Sequence, residues 1–249
     1  MSPKNIIDFT NKDGNVLLAL SGKSTTPSAI SSLLLELDLH LSNDRSSVVV
    51  DHFNYDTISA SDKHDVLLVQ RPGQLRPDTK AFFDGDGVVA FPRAVPQTLG
   101  DSNNLIAPIV RAPVTSYSYN PKEEAPAAED ITATGSQLAV VSAMQARNSA
   151  RFTVLGSVES LEDKWFSASV KAPKGGKETK TANQAFAKQL TAWTFKETGV
   201  LKVGEIRHHL AEDREITPEE LNPSLYRIKN ETVCWPSNKE SAFIRLVLM

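Results

Sequence analysis

Apolar residues in this chain fall into short blocks parted by polar turns, and the spacing inside the blocks switches between strand and helix periods. Residues 15–20, Asn-Val-Leu-Leu-Ala-Leu, form an unbroken run after Asp13-Gly14 and predict a buried strand. Residues 28–37 place Ile30, Leu33, Leu34 and Leu37 at helical spacing, which predicts an amphipathic helix packed on the sheet. The β-branched run 48–50 and the segment 65–69 read as further strands, the second ended by Arg71-Pro72-Gly73. The pattern is strongest in the middle of the chain. Leu138, Val140 and Val141 predict one strand, residues 145–151 a polar turn, and residues 152–155 the returning strand, with Gly156 ending it. Residues 105–118 also suit a strand, 3–10 the end of a helix, and 159–169, with Trp165 and Phe166, a helix. A second amphipathic helix is predicted over 181–196, with Phe186, Leu190, Trp193 and Phe195 on its apolar side and Gly199 just beyond. New β structure begins at 200–203 and Ile206.

Composition narrows the class without naming a function. A chain of 249 residues with 40% hydrophobic and 23% charged content is long enough for a sizeable core. Its net charge of −3 and pI near 6.0 give no electrostatic reason to expect nucleic acid or anionic lipid as a partner. The one cysteine, Cys234, forbids an internal disulfide. The opening residues lack the pattern of a signal peptide, and no apolar run approaches the roughly 18 residues of a membrane helix. Taken alone, this reads as a soluble, cytosolic α/β protein.

Candidate chemistry is sparse. Gly22-Lys23-Ser24 follows a strand as a phosphate loop does, but the motif's first glycine would fall at Leu17, so a plain turn is expected. The loop after strand 48–50 carries Asp51, His52, Asn54 and Asp56 at a strand's carboxyl end, where open α/β sheets usually hold ligands. Asp51, His52 and Asp56 are conceivable metal ligands, while the plainer reading has Asp and Asn side chains satisfying backbone donors. Asp84-Gly85-Asp86-Gly87 opens like a calcium loop, yet the later ligand positions fall on Val88 and Val95. His208 and His209 point to opposite faces of a strand and do not readily share a metal. A nucleophile elbow is missing, and no cofactor is implied. In the central turn, Arg147, Asn148 and Arg151 are either a solvated loop, a contact surface for a partner, or a clamp on the domain's own backbone.

Three blocks carry a resemblance: VVVDHFNYD at 48–56, SAMQARNSARFTVLGSVESLEDKWF at 142–166 and LTAWTFKETGVLKVGEIRHH at 190–209. In order and spacing they resemble the luminal region of the DDOST family, the beta-type, non-catalytic subunit of eukaryotic oligosaccharyltransferase. The resemblance implies a flavodoxin-like or amidotransferase-like sheet domain over 1–199, present in part, and the start of a β-rich domain over 200–249. It implies a scaffold in the complex that moves a dolichol-linked glycan onto Asn-x-Ser/Thr sites, with catalysis and metal in another subunit. The alternative is a glycan- or dolichol-phosphate-binding module using the 51–56 loop. Expected partners are the other subunits, at the luminal side of the endoplasmic reticulum membrane, with membrane attachment only through a C-terminal helix missing here or through partners. The expectation is therefore a chain truncated at both ends, with Asn230 in its only glycosylation sequon. Phe53 stands where the family's DHHNYD form of the loop has a second histidine, which removes an adjacent histidine pair.

Overall fold

The computed structural model describes residues 2–70, 87–121, 133–173 and 175–200, and beyond them the backbone of residues 201–202, 209–210, 226–227 and 247–248. The chain divides into two units, Met1–Glu197 and Thr198–Met249. Asp84, Asp86, Asn230, Cys234 and His208 lie outside the described residues.

The first unit opens with α1 (Pro3–Asn11), where the Ser2 side chain caps Asn5 and proline occupies the first turn. It continues through β1 (Val16–Ala19), α2 (Ser28–Glu36), β2 (Leu39–His40), β3 (Val48–Val50), β4 (Val66–Gln70), β5 (Val88–Pro92), β6 (Thr98–Leu99), β7 (Ile106–Arg111) and β8 (Tyr117–Tyr119). Then come β9 (Ala139–Gln145), β10 (Arg151–Leu155), a 3-10 turn at Val158–Leu161, α3 (Asp163–Phe166), β11 (Ser169–Val170), β12 (Thr179–Lys180) and α4 (Asn183–Thr194). The central sheet has the order β1-β10-β9-β7. β1 runs parallel to β10, with Val16 beside Phe152 and Ala19 beside Leu155. The β9–β10 pair is the predicted antiparallel hairpin, closed across Arg151 and Gln145. β7 is antiparallel to β9 with register shifts around Pro108 and Val110, as expected where a proline on an edge strand cannot donate to the ladder. The class is α/β, as predicted, and the sheet is mixed.

Helices cover both faces, because β1 is apolar in both directions and every residue of β10 is buried, Phe152 and Val154 on one face and Arg151, Thr153 and Leu155 on the other. Val16, Leu18 and Leu20 of the β1 segment, with Phe152 and Val154, pack with Ile6, Ile7, Ile30, Leu33 and Leu34 from α1 and α2. Leu17, Ala19 and Leu155 face the other way, onto Phe186 and Leu190 of α4 together with Val69, Val89 and Phe91. Phe186, Ala187, Leu190 and Thr194 recur at helical spacing and form the buried stripe of α4. Phe195 departs from the prediction: it lies past the helix end and is 50% exposed. Asn183 at the start of α4 is buried and clamps the backbone of β5, donating to the Ala90 carbonyl and accepting from its N–H at 2.8 Å each.

Two other expectations resolve differently. The 105–118 strand is two strands, β7 and β8, separated by a turn in which Ser116 N donates to Pro113 O at 3.0 Å. The 159–169 helix is a 3-10 turn followed by the single turn of α3. Gly156 is required where it stands, since a Cβ there would come within 2.6 Å of the Val95 carbonyl and 2.8 Å of the Val140 carbonyl. That close approach lets residues 94–97 thread between β3 and the central hairpin.

In the second unit, β13 (Leu201–Lys202) pairs antiparallel with β16 (Val247–Leu248), and β14 (His209–Leu210) with β15 (Tyr226–Arg227). Among the described residues no helix is long and apolar enough to cross a membrane.

Candidate functional site

The loop between β3 and β4 departs from the carboxyl end of β3 and is held by its own acids. Asp51 is 0% exposed. Its carboxylate accepts from the N–H groups of Phe53 at 2.7 Å and Asn54 at 2.9 Å, from Thr115 Oγ1 at 2.7 Å and Ser116 Oγ at 2.8 Å, and from Asn54 Nδ2 at 3.2 Å. Burial opposes its charge, but the donors from Thr115, Phe53, Ser116 and Asn54 outweigh burial and hold the carboxyl below the ordinary aspartate range. Asp56, 1% exposed, accepts from Ser59 N at 3.0 Å and, across the domain, from Lys171 N at 2.9 Å. Asn54 Nδ2 also donates to Thr115 Oγ1 at 3.0 Å. Asp51 and Asp56 thus organise backbone turns, because short side chains with carboxylate oxygens satisfy donors that a tight turn leaves without strand partners, and Asn54 ties Asp51 to Thr115.

His52 is the exception. It is exposed at the rim, and its ring meets His64, a residue that stands in no motif of its own. His64 reaches it because the chain reverses there, with φ of 52°, and the His64 carbonyl accepts from Asp51 N at 3.3 Å. The two Nδ1 atoms are in contact, His52 Nε2 is 2.9 Å from the Tyr117 hydroxyl, and His64 Nε2 is 3.0 Å from the Ser61 carbonyl. Tyr55 stacks on His64 at 3.9 Å between centroids. Burial pushes the Tyr117 phenol up from its ordinary pKa. Among the described residues no group of three or more His, Cys, Asp or Glu side chains is arranged to hold a metal.

The central turn is built differently. Arg151 is 2% exposed, donates to the Trp193 carbonyl from Nη1, and lies 4.6 Å over the Trp193 ring. Its backbone N–H donates to Asn15 Oδ1 at 3.0 Å. Asn148 Nδ2 donates to the carbonyls of Thr10 at 2.9 Å and Asn11 at 3.3 Å, tying the turn to the end of α1. Arg147 is the arginine of this turn that faces solvent.

The Gly-Lys-Ser turn is a plain turn with an ionic tie. Lys23 Nζ lies 3.6 Å from Glu159 and 3.5 Å from Glu162. Glu159 is buried and takes two bonds from the Arg93 guanidinium, one at 3.0 Å. That pairing raises the Arg93 pKa above its ordinary value.

The fold resembles a solved structure titled "mmIFT52 N-terminal domain", with TM-score 0.50 over 77% of this chain and 69% of that one at 14% identity, a likeness of fold alone. Similar sequences are more informative. The 48 kDa subunit of dolichyl-diphosphooligosaccharide–protein glycosyltransferase from Arabidopsis thaliana is 29% identical over 243 residues, covering 93% of this chain and 50% of the plant protein. The Schizosaccharomyces pombe subunit wbp1 of the same enzyme is 34% identical, covering 93% and 49%, and the Danio rerio 48 kDa subunit 33% identical, covering 82% and 45%. The chain spans about half the length of these curated relatives. Residues 1–197 match the family model described as "OST48, N-terminal domain", and with that match covering most of its length the chain belongs to the OST48 N-terminal domain family.

Proposed function

We propose that this chain is part of a non-catalytic scaffold subunit of oligosaccharyltransferase, serving N-linked glycosylation on the luminal side of the endoplasmic reticulum membrane. Its relatives are named as subunits of the dolichyl-diphosphooligosaccharide–protein glycosyltransferase, which makes other subunits its expected partners. The observation that carries the non-catalytic reading is the use of the strand-end acids. Glycan transfer to an amide needs carboxylates or a metal free to act on the acceptor, whereas Asp51 and Asp56 are buried and spend their oxygens on loop donors. A glycan- or dolichol-phosphate-binding role for the same loop would rest on its exposed rim, His52 and Phe53.

The test is co-purification. A tagged chain directed to the lumen is expected to bring down the other subunits from detergent-solubilised microsomes, and its Asn230 sequon reports luminal entry. Recovery of glycosylated chain free of every other subunit would overturn the scaffold reading. Titration with glycan or dolichol-phosphate analogues, followed by Trp and Tyr fluorescence and repeated with Asp51→Ala and His52→Ala, addresses the binding reading. A saturable change lost in His52→Ala would favour it.

A further inference from the structure

Two imidazoles from opposite ends of the 51–64 loop converge through their Nδ1 atoms, with ring centroids 4.7 Å apart and planes at 83°. Their outer nitrogens decide what the inner ones offer. His64 Nε2 faces the Ser61 carbonyl at 3.0 Å. A carbonyl only accepts, so this nitrogen carries the proton of the neutral ring, and Nδ1 presents a lone pair. His52 Nε2 faces the Tyr117 hydroxyl at 2.9 Å, and a hydroxyl either donates or accepts. When Tyr117 accepts, His52 also presents a lone pair at Nδ1. An outer N–H anchored on an oxygen with the inner lone pair left free is the way proteins hold metal-bound histidines. The stack of Tyr55 on His64 and the bond from Asp51 N to the His64 carbonyl fix the second ring in place.

We propose that His52 and His64 form a two-imidazole site for a first-row divalent transition-metal ion such as copper(II), nickel(II) or zinc(II), its other coordination positions open to solvent or an external donor. Imidazole pairs suit these ions and not calcium or magnesium. Metal–nitrogen bonds of about 2.0–2.1 Å in a tetrahedral site set the two nitrogens about 3.3 Å apart, so the rings open slightly around the ion. Without metal, the His52 tautomer with its proton on Nδ1 donates to His64, and Tyr117 donates to His52 Nε2. Binding moves the His52 proton from Nδ1 to Nε2 and reverses the Tyr117 bond, with no net proton released from the neutral pair. His52 is exposed, so the ion arrives directly from solvent.

The test is a copper(II) titration of the full chain beside His52→Gln, His64→Gln and Tyr117→Phe, read by affinity and by the nitrogen couplings in the copper resonance spectrum. The wild-type chain is expected to show a site with two imidazole nitrogens. Each histidine substitution is expected to weaken it by at least about 10-fold and remove one nitrogen, and Tyr117→Phe to weaken it less. Reading each variant against wild type cancels the contribution of the other histidines. Equal affinity and an unchanged two-nitrogen signal in both histidine variants would overturn the proposal. If a variant fails to fold, nitrogen resonances of the wild-type rings decide: zinc(II) is expected to shift both Nδ1 signals, and unmoved signals overturn the site.

Discussion

The β9–β10 turn and the β3–β4 loop carry the same promise in sequence, a polar cluster beside a buried strand, and the fold uses them in opposite ways. In the turn, the cation goes inward: Arg151 is buried against Trp193 and Arg147 stays outside. In the loop, the anions go inward: Asp51 and Asp56 are enclosed by donors while His52 stays at the rim with His64. The enclosed side chains meet partners within the domain, a carbonyl and an aromatic ring for Arg151 and N–H and O–H donors for the two aspartates, as buried polar groups require. What remains outside is what is free to meet a ligand or partner.

The largest effect is expected from Asp51→Ala, which strands donors from Phe53, Asn54, Thr115 and Ser116 together. Urea denaturation should show a loss of about 3 kcal/mol, while His52→Ala next to it should cost less than about 0.5 kcal/mol. Equal losses would erase the contrast within the loop. Arg151→Ala removes a buried bond to a carbonyl and a cation–π contact, and about 2 kcal/mol is expected from the same measurement. Arg147→Ala should leave stability within about 0.5 kcal/mol, and any loss of subunit co-purification would then belong to a partner surface at the turn.

Acid sharpens the comparison further. The folded-state pKa of Asp51 lies below its unfolded value, so its contribution is present above the unfolded pKa and is lost as pH falls through the folded one. Asp51→Asn should therefore flatten the fall in melting temperature on the acid side, whereas Arg151→Ala should lower the whole curve without changing its slope there.

The hairpin was legible because it is local: strand-length apolar runs on either side of a short polar turn specify each other. The same holds for the α4 stripe, where Phe186 and Leu190 repeat at helical spacing, but not for Phe195, which the pattern continued past the helix end. The His52–His64 contact was not legible. It depends on the reversal at His64 and on Tyr117, which arrives from β8, 65 residues away in sequence. No spacing rule brings a histidine 12 positions downstream back to its partner. Burial of Arg151 likewise depends on the far end of α4, whose docking is a tertiary event.

The scaffold account is tested most directly by asking where transferase activity resides. Luminal, tagged chain would be purified with its partners, assayed on an Asn-x-Thr acceptor peptide with lipid-linked oligosaccharide, then stripped of partners and assayed again with added manganese. Activity is expected to follow the other subunits into the stripped fraction and to vanish from the chain. Turnover by the isolated, metal-loaded chain would contradict the account.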